Sequence, residues 1–139
     1  MPMKDKVFFD SNTLVYYATE PNKKGVIANL MADSYEVFIS LQCLNEFTNV
    51  CLKKKFLTAE SVGIAIKDFG LLFDVWKSSE VTILNALDIH SRYKYSYYDS
   101  LIIATALECG CEILYSEDMQ SGQNIEGMTI INPFLSTDK

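Results

Sequence analysis

Val7-Phe8-Phe9-Asp10-Ser11-Asn12-Thr13 is the stretch on which the reading of this chain turns. Three consecutive apolar residues end abruptly in a carboxylate. A short run of that kind predicts a buried strand, with Asp10 at its C-terminal tip. In open parallel α/β sheets, ligands bind in the crevice outside the carboxyl ends of the strands. Asp10 is therefore the first candidate functional residue. Taken alone, it also reads as a turn residue whose side chain caps the following helix.

Further along the chain, short apolar runs alternate with longer segments of helical spacing. Asn12 to Thr19 predicts a short helix, and Lys23 to Ala32 a second, with Val26, Ile27, Leu30 and Met31 on one face. Glu36 to Ser40 predicts a strand, and Ser40 is a natural N-cap for a helix from Leu41 to about Lys54. Lys53-Lys54-Lys55 then complements that helix's dipole, with phosphate contact as the competing role. Thr58 caps a long helix expected to reach about Trp76. Glu80 to Leu84 reads either as a strand or as the start of a helix that covers Asn85 to Tyr93. Ser96 caps a helix from Tyr97 to Cys109, with Gly110 as its C′ residue. Glu112 to Tyr115 and Met128 to Ile131 predict two more strands, with Ser121 to Asn124 as loop. The alternation implies an α/β domain with a parallel sheet covered on both faces.

Composition bounds the function. The chain has 139 residues, enough for one domain with a substantial core. Hydrophobic residues make up 49%, with eight Tyr and eight Phe, which excludes a disordered chain. The formal charge is −6 and Arg92 is the sole arginine, so broad electrostatic attraction to nucleic acid is not expected. A metal site can reverse that balance locally. Met1 to Lys6 is too polar for a signal peptide, and no apolar run approaches the roughly 20 residues of a membrane span. The cytoplasm is the expected compartment. Cys43, Cys51, Cys109 and Cys111 lack zinc or redox spacing and are expected to be buried thiols.

Three further acids fall at telling places. Glu46 lies in the second turn of its helix, beside Leu44 and Phe47, with no Lys or Arg three or four positions away. It is either a solvent-facing glutamate or a carboxylate whose partner lies elsewhere. Asp99 follows Ser96 by three, which resembles a capping box. It also precedes Leu101-Ile102-Ile103-Ala104-Thr105-Ala106, so apolar that this helix is expected to pack centrally on the sheet. Finally, Ile113-Leu114-Tyr115 runs into Ser116-Glu117-Asp118, a second strand that ends in acid.

Gathering such acids has an electrostatic cost. Two anions about 4 Å apart repel by roughly 4 kcal/mol at an effective dielectric near 20. A divalent cation converts that repulsion into binding, and an all-oxygen donor set suits Mg²⁺ or Mn²⁺ rather than Zn²⁺. One or two such ions activate a water and stabilise a leaving oxygen in phosphodiester hydrolysis. No Ser/His/Asp or Cys/His arrangement competes. His90, the single histidine, sits among apolar neighbours and is assigned no catalytic role.

Four segments together carry a resemblance: Phe9-Asp10-Ser11-Asn12-Thr13-Leu14; Leu44-Asn45-Glu46-Phe47; Tyr97 to Ala106; and Tyr115-Ser116-Glu117-Asp118-Met119. In order, spacing and context they resemble the acidic motifs of PIN-domain nucleases, and among these the VapC toxins of toxin–antitoxin pairs. The resemblance covers nearly the whole chain. It implies a single three-layer α/β/α domain over residues 1–139, with a mostly parallel sheet of about four to five strands. It implies a Mg²⁺- or Mn²⁺-dependent endoribonuclease that leaves a 5′ phosphate and a 3′ hydroxyl. Asp10, Glu46, Asp99 and Asp118 fall on the family's acidic positions. Asn12 and Ser116 fall on its polar positions beside the site, and Glu117 is a substitute or extra ligand. A homodimer and a small antitoxin are the implied partners, with RNA as substrate. Lys23, Lys24, Lys53, Lys54, Lys55 and Lys94 are the few basic candidates for RNA contact. The Tyr-rich segment Tyr93–Tyr98 either stacks on bases or fills an interface.

Two alternatives belong to other classes. Asp10-Ser11-Asn12-Thr13-Leu14 also resembles the nucleophile motif of haloacid-dehalogenase-type phosphatases, in which Asp10 would become a phospho-aspartate. Asn12 stands where those enzymes carry a second aspartate, and Glu46 would have no role. The other alternative is a PIN-like scaffold that binds RNA or a partner without cutting.

Overall fold

The computed structural model describes residues 5–135. The polar stretch 1–4 invoked above lies outside the described residues. Twelve elements follow one another: β1 (Lys6–Phe9), α1 (Ser11–Thr19), α2 (Pro21–Asp33), β2 (Glu36–Ser40), α3 (Leu41–Lys53), α4 (Ala59–Leu72), β3 (Asp74–Trp76), α5 (Glu80–Tyr93), α6 (Tyr97–Glu108), β4 (Ile113–Tyr115), β5 (Asn124–Ile125) and β6 (Met128–Ile131). The strands form one sheet in the order β3-β2-β1-β4-β6-β5. Every pairing is parallel except that of β5 with β6.

The central strands are apolar on both sides because helices cover both faces. Val7, Phe8 and Phe9 of β1 are all buried, as are Val37, Phe38 and Ile39 of β2. One layer is built where α1 packs on α2 and α3, and α3 on α4; the other is the tightly packed pair α5 and α6. Phe9 meets the rings of Phe73 and Tyr115 edge-on, and Phe47 meets Phe69 likewise.

Expected caps are present. The Ser40 hydroxyl accepts from the Cys43 N–H, Thr58 from Ser61, and Ser96 from Asp99. Gly110, at φ 77°, ends α6 with paired bonds from its own N–H to Leu107 and from Cys111 to Ala106, a Schellman closure. All four cysteines are free and buried.

The structure differs from expectation between Thr58 and Leu84. The helix ends at Leu72 rather than near Trp76, and Asp74–Trp76 forms β3 on the sheet edge beside β2. Phe73 turns extended and buries its ring against Phe9 and Phe69, which breaks the helix. The Trp76 indole then donates to Glu108 at 2.6 Å. The strand alternative for Glu80–Leu84 also fails. This segment is the first part of α5, started where the Thr82 hydroxyl accepts from the Ser79 N–H. Asn124 joins the two-residue strand β5 instead of a loop. With β3 and β5 the sheet has six strands among the described residues, rather than four to five.

This order places the switch point at the centre. From β1 the chain passes to β2 on one side, and the sheet is later completed by β4 on the other. The crevice outside the carboxyl ends of β1 and β4 is where such sheets bind ligands. Asp10 follows β1 directly, and Ser116 follows β4.

Candidate active site

Asp10 is only 4% exposed. It caps α1: the Ser11 N–H donates to Oδ1 at 2.7 Å. The Ser116 hydroxyl, fully buried, donates to Oδ2 at 2.8 Å. Parallel pairing of Phe9 with Tyr115 sets the two strand ends side by side, and the Asp10 N–H continues the ladder to the Tyr115 carbonyl. Burial pushes the Asp10 carboxyl up from 3.8 to about 6. The two hydrogen bonds oppose that rise, while the charges of Glu46 and Asp99 add to it.

Asp99 lies in the first turn of α6, half-buried. Its N–H supplies the bond that caps the helix on Ser96. Its carboxyl is raised above the ordinary value, by burial first, then by the charges of Asp118 and Glu46, with Ser96 opposing. Asp118 is exposed just beyond β4. The Asn12 amide donates to its Oδ2 at 3.2 Å, and its own N–H donates to the Ser116 hydroxyl at 3.3 Å. Ser116 therefore links Asp10 to the Asp118 backbone. Glu46 enters from α3, where the Gln42 amide donates to it at 3.1 Å.

Glu46 and Asp99 thus act on Asp10, and Asp118 and Glu46 on Asp99. Among the described residues, no group of three or more Asp, Glu, His or Cys side chains is arranged so that it could hold a metal ion. The arrangement is an open ring of anions braced by Ser116, Asn12 and Gln42. Glu117 is placed differently from its neighbour. Its carboxylate is taken by the Tyr16 hydroxyl and lies 3.6 Å from Lys23 Nζ, so it contributes to neither raised carboxyl. His90 lies outside the ring, with Nδ1 2.5 Å from the Tyr95 carbonyl.

Gln42 was not singled out from the sequence. It lies four residues before Glu46, a spacing that sets two side chains on one helix face and could have revealed it. Its Nε2 also donates to the Tyr98 carbonyl at 3.2 Å, which ties α3 to the start of α6. Tyr16 gave no such signal, since it meets Glu117 from 101 residues away.

The fold and the ring together define a class: an α/β/α domain with an acidic crevice at the switch point of a mostly parallel sheet. The model of the PIN domain matches residues 7–121, and the chain belongs to the PIN-domain family. That membership sets aside the phosphatase reading of Asp10. Among solved structures, the chain resembles VapC20 of Mycobacterium tuberculosis, described as a sarcin–ricin loop cleaving toxin. The identity is 17% and the TM-score 0.66, covering 81% of this chain and 89% of that one. It also resembles a chain of a toxin–antitoxin complex from Klebsiella pneumoniae, at 21% identity and TM-score 0.69, over 92% and 98%. A third is VapBC2 from Rickettsia felis bound to a promoter DNA fragment, at 14% and 0.69, over 90% and 96%. These likenesses establish a shared fold. Comparison with curated protein sequences returns no match.

Proposed function

We propose that this protein is a divalent-metal-dependent endoribonuclease and the toxin of a toxin–antitoxin pair. The observation that carries the reading is Asp10: a buried carboxylate, raised to about 6, in the field of other acids at the sheet's switch point. An ionised acid in that position needs a cation to offset its burial and its neighbours.

The chemistry of the donor set suits such an ion, although the side chains are not gathered around one. Asp10, Glu46, Asp99 and Asp118 offer only carboxylate oxygens, which suits Mg²⁺ or Mn²⁺. Substrate phosphate and water would have to complete the coordination. When bound, one or two such ions supply an activated water and stabilise the charge that develops on a phosphodiester. The chain's own residues set the stage. Ser116 and the Ser11 N–H fix both oxygens of Asp10. Asn12 holds Asp118, and Gln42 holds Glu46. Family membership supports RNA cleavage to a 5′ phosphate and a 3′ hydroxyl.

The partner proposals rest on separate observations. The structural relatives include toxin–antitoxin complexes, which favours a small antitoxin. Val81, Ile83, Leu84 and Leu87 leave an exposed apolar face on α5, which favours a homodimer. The four thiols favour a reducing compartment, the cytoplasm. No helix among the described residues is long and apolar enough to cross a membrane.

The test is cleavage of cellular RNA by purified protein in Mg²⁺, in Mn²⁺ and in EDTA. Cleavage is expected only with metal, and Asp10→Asn is expected to abolish it. Metal-independent cleavage, or full activity in that variant, would falsify the mechanism.

A further inference from the structure

A groove of about 560 Å³ opens beside Glu46, within the size range of small-ligand sites. Three elements line it. Leu41, Asn45, Glu46 and Asn49 share one face of α3, Lys77 and Ser78 form the turn after β3, and Tyr98 projects from the first turn of α6. Tyr98 immediately precedes Asp99, and Glu46 belongs to both ring and groove. The groove is thus continuous with the acidic crevice.

Four of its polar side chains are uncommitted. Among the described residues, Asn45, Asn49 and Ser78 make no side-chain hydrogen bond and Lys77 no ion pair. Tyr98 is 63% exposed, and its ring meets Tyr97 edge-on at 5.3 Å, which leaves a face open. Tyr95, three residues earlier, is by contrast engaged: it donates to Gln123 and accepts from the Gln120 N–H. Gln42 forms the wall between groove and ring. Both of its N–H donors are used, by Glu46 and the Tyr98 carbonyl, which fixes the amide orientation and leaves its buried Oε1 without a partner.

We propose that this groove seats a single-stranded ribonucleotide next to the scissile phosphate. The base stacks on Tyr98, the amides of Asn45 and Asn49 meet its polar edge, and Lys77 meets a backbone phosphate. An unpaired base offers both a π-face and donor and acceptor edges, the two chemistries the groove presents. This resolves how an acidic chain holds RNA: stacking and amide contacts replace a basic surface. The inference rests on the nuclease reading of the adjoining ring.

The experiment separates the two. Binding of a short fluorescein-labelled single-stranded oligoribonucleotide of random sequence is measured by anisotropy in Mg²⁺, using the full Asp10→Asn chain so that nothing is cut. Tyr98→Ala is expected to weaken binding about tenfold, within the range of one base–aromatic stack. Tyr98→Phe is expected to restore it, and Asn49→Ala and Lys77→Ala to weaken it several-fold. Tyr35→Ala, an equally exposed tyrosine at the opposite end of β2, serves as the control and leaves binding unchanged. The proposal is overturned if the Asp10→Asn chain does not bind, or if Tyr98→Ala and Asn49→Ala both bind as it does. It is equally overturned if sedimentation shows these substitutions only dissociating a dimer, since a second copy would then cover the groove. Metal-dependent cleavage by the wild-type chain is read in parallel, so loss of the groove proposal leaves the nuclease reading standing, and the reverse.

Discussion

Replacing Asp10 by asparagine is expected to stabilise the fold while destroying the site. The carboxyl is lifted from 3.8 to about 6, chiefly by burial. At 1.36 kcal/mol per pH unit, ionising it in the folded protein costs about 3 kcal/mol relative to the unfolded chain. Because the folded value is the higher one, the favourable contribution of the protonated group is fully present below about pH 4. It is lost as pH rises through about 6. Asparagine does not titrate, and its amide can keep both contacts: Oδ1 accepts from the Ser11 N–H, and Nδ2 donates to the Ser116 hydroxyl. The variant's advantage is therefore near zero at pH 4 and about 3 kcal/mol at pH 8, roughly 10 °C in Tm for a chain of this size. Urea unfolding in EDTA at pH 4, 6 and 8, followed by the fluorescence of Trp76, reads it directly. Adding Mg²⁺ at pH 8 is expected to stabilise only the wild type, by about 2.7 kcal/mol at a hundredfold excess over Kd, and so nearly to close the gap. A variant no more stable than the wild type at pH 8 in EDTA would refute the claim that Asp10 is held ionised at a cost.

The remaining predictions concern its neighbours. Asp99→Asn keeps the N–H that caps α6 on Ser96, so stability is expected to change by less than about 1 kcal/mol, while RNA cleavage falls about 100-fold or more; thermal melts and initial rates check both. Ser116→Ala removes the hydroxyl that holds the Asp10 carboxyl down, so it is expected to move the Asp10 midpoint above 6 and to shift the acid limb of the pH–rate profile to higher pH. That substitution also leaves the Asp118 N–H without its partner, and is expected to cost about 1–3 kcal/mol in urea unfolding.

The parts of the fold legible in the sequence are those where one physical demand acts alone. β1, β2, β4 and β6 announce themselves as apolar runs, since a central strand under helices has no polar face to show. β3 does not, because Asp74–Trp76 is short and follows a helix without a turn signal. Its position depends on Phe73 finding Phe9, a contact between distant parts of the chain. Likewise Glu117 and Asp118, adjacent in sequence, are sorted by their partners. Tyr16 and Lys23 draw one away, and Asn12 holds the other at the crevice.

For Asp10 and Asp99 the sequence leaves a choice between capping a helix and serving a site, and the geometry is compatible with both roles at once. Asp10 caps α1 with one oxygen and joins the ring with its buried carboxylate. Asp99 caps α6 through its N–H while its carboxyl lies in the field of Glu46 and Asp118. The two roles support each other, since the N-terminal ends of α1 and α6 then bring positive dipole ends to the acids. The magnitudes show how far this goes. A helix N-terminus is worth roughly 0.3–1 kcal/mol to a nearby anion. Two of them therefore return about 2 kcal/mol at most, against about 3 kcal/mol for ionising Asp10 alone. Local structure can moderate the ring but cannot neutralise it. On the proposed reading the remainder falls to a cation, and the expected outcome is a metal-loaded protein more stable than the metal-free one.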